Sequence, residues 1–253
     1  MEDILYKNSA SDIRIREMVN TVSNNEKHDY SQDYLTFEAL EDGTFTLNVP
    51  ANVASTCMIS VSYSTDNGAT WTDTAIDNTA QAITTPTINA DNKVLWKGVG
   101  KQMAKLFSAY SYFSSTGNFN VSGNIMSLLY GDEFANQEAF PSDSMYNFCN
   151  LFRNNKLTSA RNLILPTTTL VDSCYREMFQ GCTLLTTAPE LPATTLVNGC
   201  YCYMFRGCTL LTTAPKLPAT TVADYCYNGM FWGCTSLNTA LVLPATTLAN
   251  NCY

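Results

Sequence analysis

Basic residues and histidine are scarce in this chain of 253 residues. It contains 14 Lys and Arg against 22 Asp and Glu, which gives a formal net charge of −8, and its single histidine is His28. Binding to nucleic acid needs a dense face of Lys and Arg that displaces counterions from the phosphates. The sequence has no such face, and we expect no nucleic-acid partner.

Signatures of catalysis and of cofactor binding are also missing. The chain has no nucleophile elbow, no phosphate-binding glycine loop and no convincing pair of carboxylates. We therefore expect a protein that is not an enzyme, with no catalytic residues and no cofactor.

Long apolar runs are absent too. No run of 18 apolar residues is present, so we expect no insertion into a membrane. The first residues, MEDILYKNSASD, lack the basic and apolar regions of a signal peptide, so this start predicts no export. The hydrophobic content is nevertheless 45%, which is enough for the core of one large or two modest domains.

The most regular feature is a cassette that occurs four times at a step of 26 residues in the C-terminal third. Its fixed elements are a Leu-Pro pair, a Cys-Tyr pair and, in three copies, Met-Phe-x-Gly-Cys-Thr. The Leu-Pro pairs begin at Leu165, Leu191, Leu217 and Leu243, and the Cys-Tyr pairs begin at Cys174, Cys200, Cys226 and Cys252. Because no interval contains an insertion, the copies should share one shape and stack with like side chains over like.

Nine of the ten cysteines lie from Cys149 onward, and most of them fall into two columns of the repeat. Equivalent residues of adjacent coils lie about 5 Å apart, so these thiols should pack as small apolar groups in a reduced structural ladder. The columns are Cys174, Cys200, Cys226 and Cys252, and Cys182, Cys208 and Cys234. A straight row does not converge on an ion, so we expect no metal site. Cys202 aligns instead with the polar Arg176 and Asn228, which predicts an exposed and reactive thiol.

Residues 1–30 are predicted to form a helical leader and a linker. Ile15, Met18 and Val22 fall on one face of a helix at the expected spacing. A lone helix of this length is marginal in water. It should therefore pack on the same subunit or attach the protein to a larger assembly.

Residues 31–116 alternate apolar and polar positions between short turns, which is typical of an antiparallel β-sandwich. The segment LTFEALEDGTFTL predicts a hairpin that turns at residues 41–43 with Gly43 at positive φ, and ISVSYSTDNGATW predicts a second hairpin. Trp71 and Trp96 are predicted core anchors. The pattern STDNGATW, beginning at Ser64, looks like the Asp-box turn of sialidases, but its single occurrence indicates a stabilised hairpin and not a propeller.

Residues 117–253 are predicted to form the repeat domain. Its first part, residues 117–165, departs from the cassette and should form irregular capping repeats, because an end repeat meets something other than a twin. The cassette stops midway at Tyr253, so we expect the chain to continue or this end to dock on a neighbour.

The cassette LPATTLVNGCYCYMFRGCTLLTTAPK, residues 191–216, resembles the BspA-like leucine-rich repeats of bacterial surface proteins. Such repeats are common in gut Bacteroidales and in the crAss-like phages that infect them. The resemblance covers about residues 119–253, and the upstream strands look like the Ig-like domain that precedes such repeats. It implies a mainly β fold with some α, in which a β-sandwich is followed by a leucine-rich-repeat solenoid with 26-residue coils.

Positions that differ between copies should face outward, because a solenoid keeps the side chains that pack. The binding candidates at such positions are Arg176, Gln180, Cys202, Arg206, Asn228 and Trp232. A large ring at a varying position, as at Trp232, suits a binding anchor. It equally suits a cover for the next coil or a subunit interface.

These features predict a structural and binding protein on the surface of a bacteriophage virion, as a fibre, tail or capsid-decorating subunit. Its N-terminal segment would contact other virion proteins, and its solenoid would contact a host surface protein or glycan. By analogy we expect a homo-oligomer. The alternative is a leucine-rich-repeat adhesin of the bacterial cell surface, exported by a leader that this sequence does not include.

Overall fold

The computed structural model describes residues 33–53, 57–239 and 242–253. Over these residues the protein is mainly β with little helix, which confirms the expected mainly β class. The helix predicted within residues 1–30, and His28 with it, lie outside the described residues.

Strands in the described residues form three sheets. Their bounds are β1 (Leu35–Ala39), β2 (Phe45–Val49), β3 (Met58–Ser64), β4 (Thr72–Ala75), β5 (Gln81–Thr84), β6 (Lys93–Gly100), β7 (Ala104–Leu106), β8 (Ala109–Tyr110), β9 (Tyr112–Ser115), β10 (Phe119–Asn124) and β11 (Leu157–Ile164). The main sheet has the order β11-β10-β1-β6-β3-β4, the second sheet has the order β5-β2-β9, and β7 pairs with β8. Among these eleven strands of the described residues, β10 and β11 pair in parallel and the other pairs are antiparallel.

The main sheet and the second sheet share one core. β1 and β2 each alternate buried and partly exposed residues, so each strand has one apolar face. Phe37 of β1 contacts Phe45 of β2 and Phe113 of β9, with ring centroids 5.3 and 4.8 Å apart. Trp96 of β6 is fully buried with its ring 5.0 Å from that of Phe113, which confirms it as a core anchor.

The segment between β1 and β2 is not the predicted hairpin. The two strands belong to different sheets, because each uses its apolar face to cover the shared core from an opposite side. Gly43 is not at positive φ either. A Cβ at Gly43 would lie 2.7 Å from the Gly117 nitrogen, so close backbone approach is what requires glycine there.

The predicted hairpin of β3 and β4 is confirmed. The Asp66 carboxylate accepts hydrogen bonds from the Thr70 N–H at 2.9 Å and the Thr70 hydroxyl at 2.6 Å. It also accepts from the Ser64 hydroxyl at 2.7 Å. These donors, with the Thr70 hydroxyl first, lower the pKa of Asp66 to about 2.

Trp71, which precedes β4, is half-buried, so the prediction that it anchors the core is wrong. Its ring packs against Tyr34 at 5.0 Å and carries the Lys97 ammonium 4.1 Å above it. An ammonium over the ring needs water beside it, which favours the rim of the sheet over the interior.

Residues 125–165 join the sheets to the repeats. A short helix, α1 (Ser127–Tyr130), and a 3₁₀ turn (Gly131–Phe134) follow β10. The parallel strand β11 then bridges the first repeat through Ser159 and Thr187. The main sheet therefore contains strands from both sides of the predicted domain boundary between residues 116 and 117. One hydrophobic core includes side chains from Leu35 to Cys252. The division of the chain into domains at that point stays a prediction.

Backbone hydrogen bonds join successive repeats, which we call coils. Alternate N–H groups donate to a carbonyl of the next coil, whereas the intervening ones donate to the carbonyl three residues earlier. The Tyr175, Tyr201 and Tyr227 N–H groups donate in this way to Cys200, Cys226 and Cys252, each at 2.9 Å. Left-handed residues recur every fourth position, as at Ser173, Glu177 and Gly181, so this side of each coil is a series of tight turns.

Two columns of stacked rings fill the coils. One column contains Tyr175, Tyr201, Tyr227 and Tyr253, and the other contains Phe152, Phe179, Phe205 and Phe231. Neighbouring centroids lie 5.4 to 5.8 Å apart with planes within 16° of parallel. Like side chains therefore lie over like, in the offset stacking that aromatic quadrupoles favour.

The cysteine columns lie beside these rings. The cysteines from Cys149 onward are buried thiols. The Cys182, Cys208 and Cys234 thiols donate to carbonyls of the preceding coil at 2.9 to 3.2 Å. Burial raises the pKa of Cys182 and of Cys200 to about 12, which keeps both thiols protonated at neutral pH.

Candidate binding strip on the turn side of the coils

Three of the predicted binding residues, Arg176, Arg206 and Trp232, lie together on the turn side of the coils. The Tyr203 ring lies against both arginines, and the Phe107 ring contacts Arg176 at one end. We call these five residues the Arg–aromatic strip. It begins at the turn between β7 and β8 and crosses three coils.

Guanidinium groups and rings alternate along the strip. The Arg176 guanidinium lies 5.6 Å from the Phe107 ring centroid and 5.8 Å from that of Tyr203. The Arg206 guanidinium lies 5.2 Å from the Tyr203 centroid and 4.4 Å from that of Trp232. Each arginine thus contacts a ring on either side, which fixes side chains that would otherwise be mobile.

The end rings of the strip are unusually open for large apolar groups. Trp232 is 62% exposed and Phe107 is 56% exposed, whereas the central rings of the two columns, such as Tyr201 and Phe205, are buried. Burial of such rings by a partner is a main source of binding free energy.

The two arginines differ in their charge environment. The Arg176 Nε lies 3.2 Å from a Glu177 carboxylate oxygen, and the other oxygen lies 3.0 Å from Arg153. Arg206 has no acidic partner and donates no hydrogen bond within the described residues. The positive charge of the strip is therefore greatest between Tyr203 and Trp232.

Glycine in one coil makes room for the central ring of the strip. Tyr203 has φ of 55°, and its ring extends over the next coil at Gly229. A Cβ at Gly229 would overlap the Tyr203 Cε1 atom. The pairing of a large ring with a glycine 26 residues later is visible in the sequence and could have identified Tyr203.

Cys202 is the binding candidate that the structure contradicts. It is 2% exposed, so the prediction of an exposed, reactive thiol is wrong. Burial raises its pKa, although the Arg176 charge opposes that shift. A cysteine suits this buried position as a small apolar group, although Arg176 and Asn228 occupy it in the neighbouring coils.

Gln180 and Asn228 are partly exposed and take no part in the ring–guanidinium contacts. The side-chain oxygen of Gln180 is buried and accepts no hydrogen bond within the described residues. Both residues stay candidates for polar contact with a ligand.

A separate cavity of about 430 Å³ lies where β11 meets the first coils. Asn124, Arg161 and Glu190 contribute to its wall, and the predicted site residues do not. In the described part of the chain no group of three His, Cys, Asp or Glu side chains is placed to hold a metal ion. Among the same residues no helix has the length and apolar character needed to cross a membrane.

Comparison with known proteins assigns no relative: no family model, no curated protein and no solved structure matches the chain.

Proposed function

We propose that this protein is a non-enzymatic surface protein that uses a repeat solenoid to contact a host protein or glycan. In this proposal an N-terminal β-sandwich supports a BspA-like leucine-rich-repeat solenoid, and the whole is a bacteriophage virion component such as a fibre, tail or capsid-decorating subunit. The virion assignment rests on the resemblance of the cassette.

The observation that carries the binding role is the Arg–aromatic strip. Buried positions repeat from coil to coil, as the Tyr and Phe columns do. By contrast, Arg176 is followed by Cys202 and Asn228 at the equivalent positions, and Gln180 is followed by Arg206 and Trp232. Apart from the buried Cys202, this is the repetition of interior positions and variation of surface positions expected of a scaffold that presents a surface. Exposed Trp and Arg are also the residues most enriched among binding hot spots.

Rigidity supports the same role. Each coil is joined to the next by backbone hydrogen bonds and by two stacked rings, so the strip residues are held at fixed separations. A preorganised surface loses little conformational entropy on binding, which favours affinity.

A binding screen tests the role of the strip. Labelled protein is applied to a glycan array and to a panel of bacterial cells, and Trp232→Ala is compared with Ile59→Ala. Ile59 is a matched control because it is 65% exposed but lies on β3, away from the coils. We expect Trp232→Ala to lower binding about tenfold or more and Ile59→Ala to leave it unchanged. Equal binding by both variants would exclude the strip as the contact surface.

Attachment to a particle is tested separately. Deletion of residues 1–30 leaves every core residue of the described part of the chain in place, so the truncated protein should fold. On the virion proposal it should no longer enter particles, and antibodies against the full chain should label purified virions. Labelling of the bacterial envelope with none on virions would favour the adhesin instead.

A further inference from the structure

We propose that the Arg–aromatic strip binds a linear anionic glycan, a chain of pyranose residues that bear carboxylate or sulfate groups. This inference rests on the proposed binding function and names the class of ligand.

The anionic character follows from Arg206. Its guanidinium lies between the Tyr203 and Trp232 rings, and none of its donors is used by the protein within the described residues. A guanidinium that contacts rings through its faces keeps its N–H groups in the plane, where they can donate two parallel hydrogen bonds to a carboxylate or sulfate. The rings also hold the side chain in place, so less entropy is lost when the anion binds.

The distribution of charge along the chain agrees with this assignment. Although the whole chain carries −8, the part beyond residue 150 has six basic and four acidic residues, which gives +2. An anion therefore approaches the coils without the repulsion that the N-terminal part exerts.

The sugar character follows from the rings. Trp232 and Phe107 offer open, flat, apolar faces, and an aromatic face is electron-rich at its centre. The polarised C–H groups on one face of a pyranose ring are complementary to such a surface. Equivalent rings of neighbouring coils have centroids 5.4 to 5.8 Å apart, a separation comparable to the length of one pyranose residue in an extended chain.

An acidic peptide suits this surface less well. Extended peptides bind mainly by adding backbone hydrogen bonds to an open strand edge. On the strip, the N–H groups of Glu177, Tyr203 and Gly207 already donate to the next coil at 2.8 to 2.9 Å. A peptide would have to bind through side chains alone.

Single-stranded nucleic acid suits it less well for a different reason. It also stacks on rings and pairs with arginines, but its affinity comes from many phosphate contacts. The strip has only two arginines, and Glu177 lies 3.2 Å from one of them. A glycan with a charge on every second residue presents fewer charges over the same length and needs fewer cations.

Calorimetric titration of the full chain with defined oligomers tests the inference. The probes are a glucuronate-containing hyaluronan hexasaccharide, a chondroitin sulfate hexasaccharide, neutral chitohexaose, an oligothymidylate and an oligoglutamate peptide. The first two distinguish carboxylate from sulfate recognition. The variants are Arg206→Gln, Arg206→Lys and Trp232→Ala, with Arg161→Gln as the control because Arg161 is an exposed arginine outside the strip.

We expect at least one anionic hexasaccharide to bind more tightly than chitohexaose, with an affinity that falls as salt is added. Arg206→Gln and Trp232→Ala should each lower that affinity about tenfold or more, and Arg161→Gln should not change it. Arg206→Lys should bind more tightly than Arg206→Gln but less tightly than the unsubstituted protein, because an ammonium cannot form the paired hydrogen bonds. Unchanged circular dichroism and melting would show that the variants fold.

Other results would overturn the inference and have different consequences for the proposed function. If chitohexaose bound as tightly and only Trp232→Ala weakened it, the strip would be a binding site without anion selectivity. If oligothymidylate or oligoglutamate bound more tightly than both anionic hexasaccharides, the ligand would be a nucleic acid or an acidic peptide and not a glycan. If Arg161→Gln lowered affinity as much as Arg206→Gln, the attraction would be diffuse charge. If no probe bound, the ligand class would be wrong, and the cell-binding screen would decide whether the binding function survives.

Discussion

Truncation of the central phenylalanine tests whether the ring columns hold the coils together. Phe205 is fully buried between the Phe179 and Phe231 rings, at 5.4 and 5.7 Å, with planes 2° and 5° from parallel. Phe205→Ala removes contacts with both neighbours and leaves a cavity that stacked, hydrogen-bonded coils cannot easily close. We expect a loss of about 3–5 kcal/mol in the free energy of unfolding. That is a large part of the roughly 5–15 kcal/mol typical of a folded domain.

Phe231 provides the matched control. It belongs to the same column but is partly exposed and has a described phenylalanine ring on one side only. Phe231→Ala should therefore cost roughly half as much. Urea unfolding followed by circular dichroism and by tryptophan fluorescence measures both values, and disagreement of the two probes would reveal separate unfolding of the coils. Equal losses of stability in the two variants, or a loss below about 1 kcal/mol for Phe205→Ala, would show that the ring column does not hold the coils together.

Three further predictions follow from single groups. Gly181→Ala and Gly207→Ala both place a side chain at φ near 75°, but only the alanine at 181 overlaps a neighbour, the Asn154 side chain. Gly207→Ala should lower the free energy of unfolding in urea by about 1 kcal/mol, and Gly181→Ala should lower it clearly more. Because burial raises the pKa of thiols such as Cys182 from 9.0 to about 12, only the unfolded state ionises between those values, and stability measured by urea unfolding should fall as pH rises from about 9 to 12. Native thiols should correspondingly react slowly with a thiol reagent at pH 8. Because the pKa of Asp66 is lowered to about 2, the hydrogen bonds of its turn should persist until the pH falls towards that value, and Asp66→Ala should speed amide exchange in the turn at neutral pH.

The repeat could be predicted from sequence because its evidence is redundant. A fixed step of 26 residues places the Tyr and Phe positions over their equivalents whatever path the chain takes within a coil. The path of the chain within each coil was harder to predict from sequence, since left-handed residues such as Glu177 and Tyr203 are not residue types that indicate a turn.

The path between β1 and β2 shows a second limit. Alternation predicts that each strand has one buried face, but it does not say whether the two faces belong to one sheet or to two sheets that face each other. Gly43 looked like a turn residue, and only the approach of Gly117 reveals why glycine is needed there. Contacts between segments distant in sequence decided both points.

The candidate site was predicted in part for the same reason. Variation between copies identified Arg176, Arg206 and Trp232 as outward-facing, because local sequence is enough to compare equivalent positions. It could not place Phe107, which reaches the strip from the turn between β7 and β8. It misjudged Cys202, which is 2% exposed although the equivalent residues Arg176 and Asn228 are polar.

Two left-handed residues supply contacts of the Arg–aromatic strip. Tyr203 has φ of 55° and Glu177 has φ of 55°, whereas the equivalent position in the following coil is Gly229, at φ of 56°. A left-handed residue with a side chain costs roughly 1 kcal/mol more than glycine, so glycine at all three positions would suit the backbone better. The two bulky residues instead supply the ring that contacts both arginines and the carboxylate that orients Arg176. Replacement of Tyr203 or Glu177 by glycine should therefore relieve the backbone while removing these contacts.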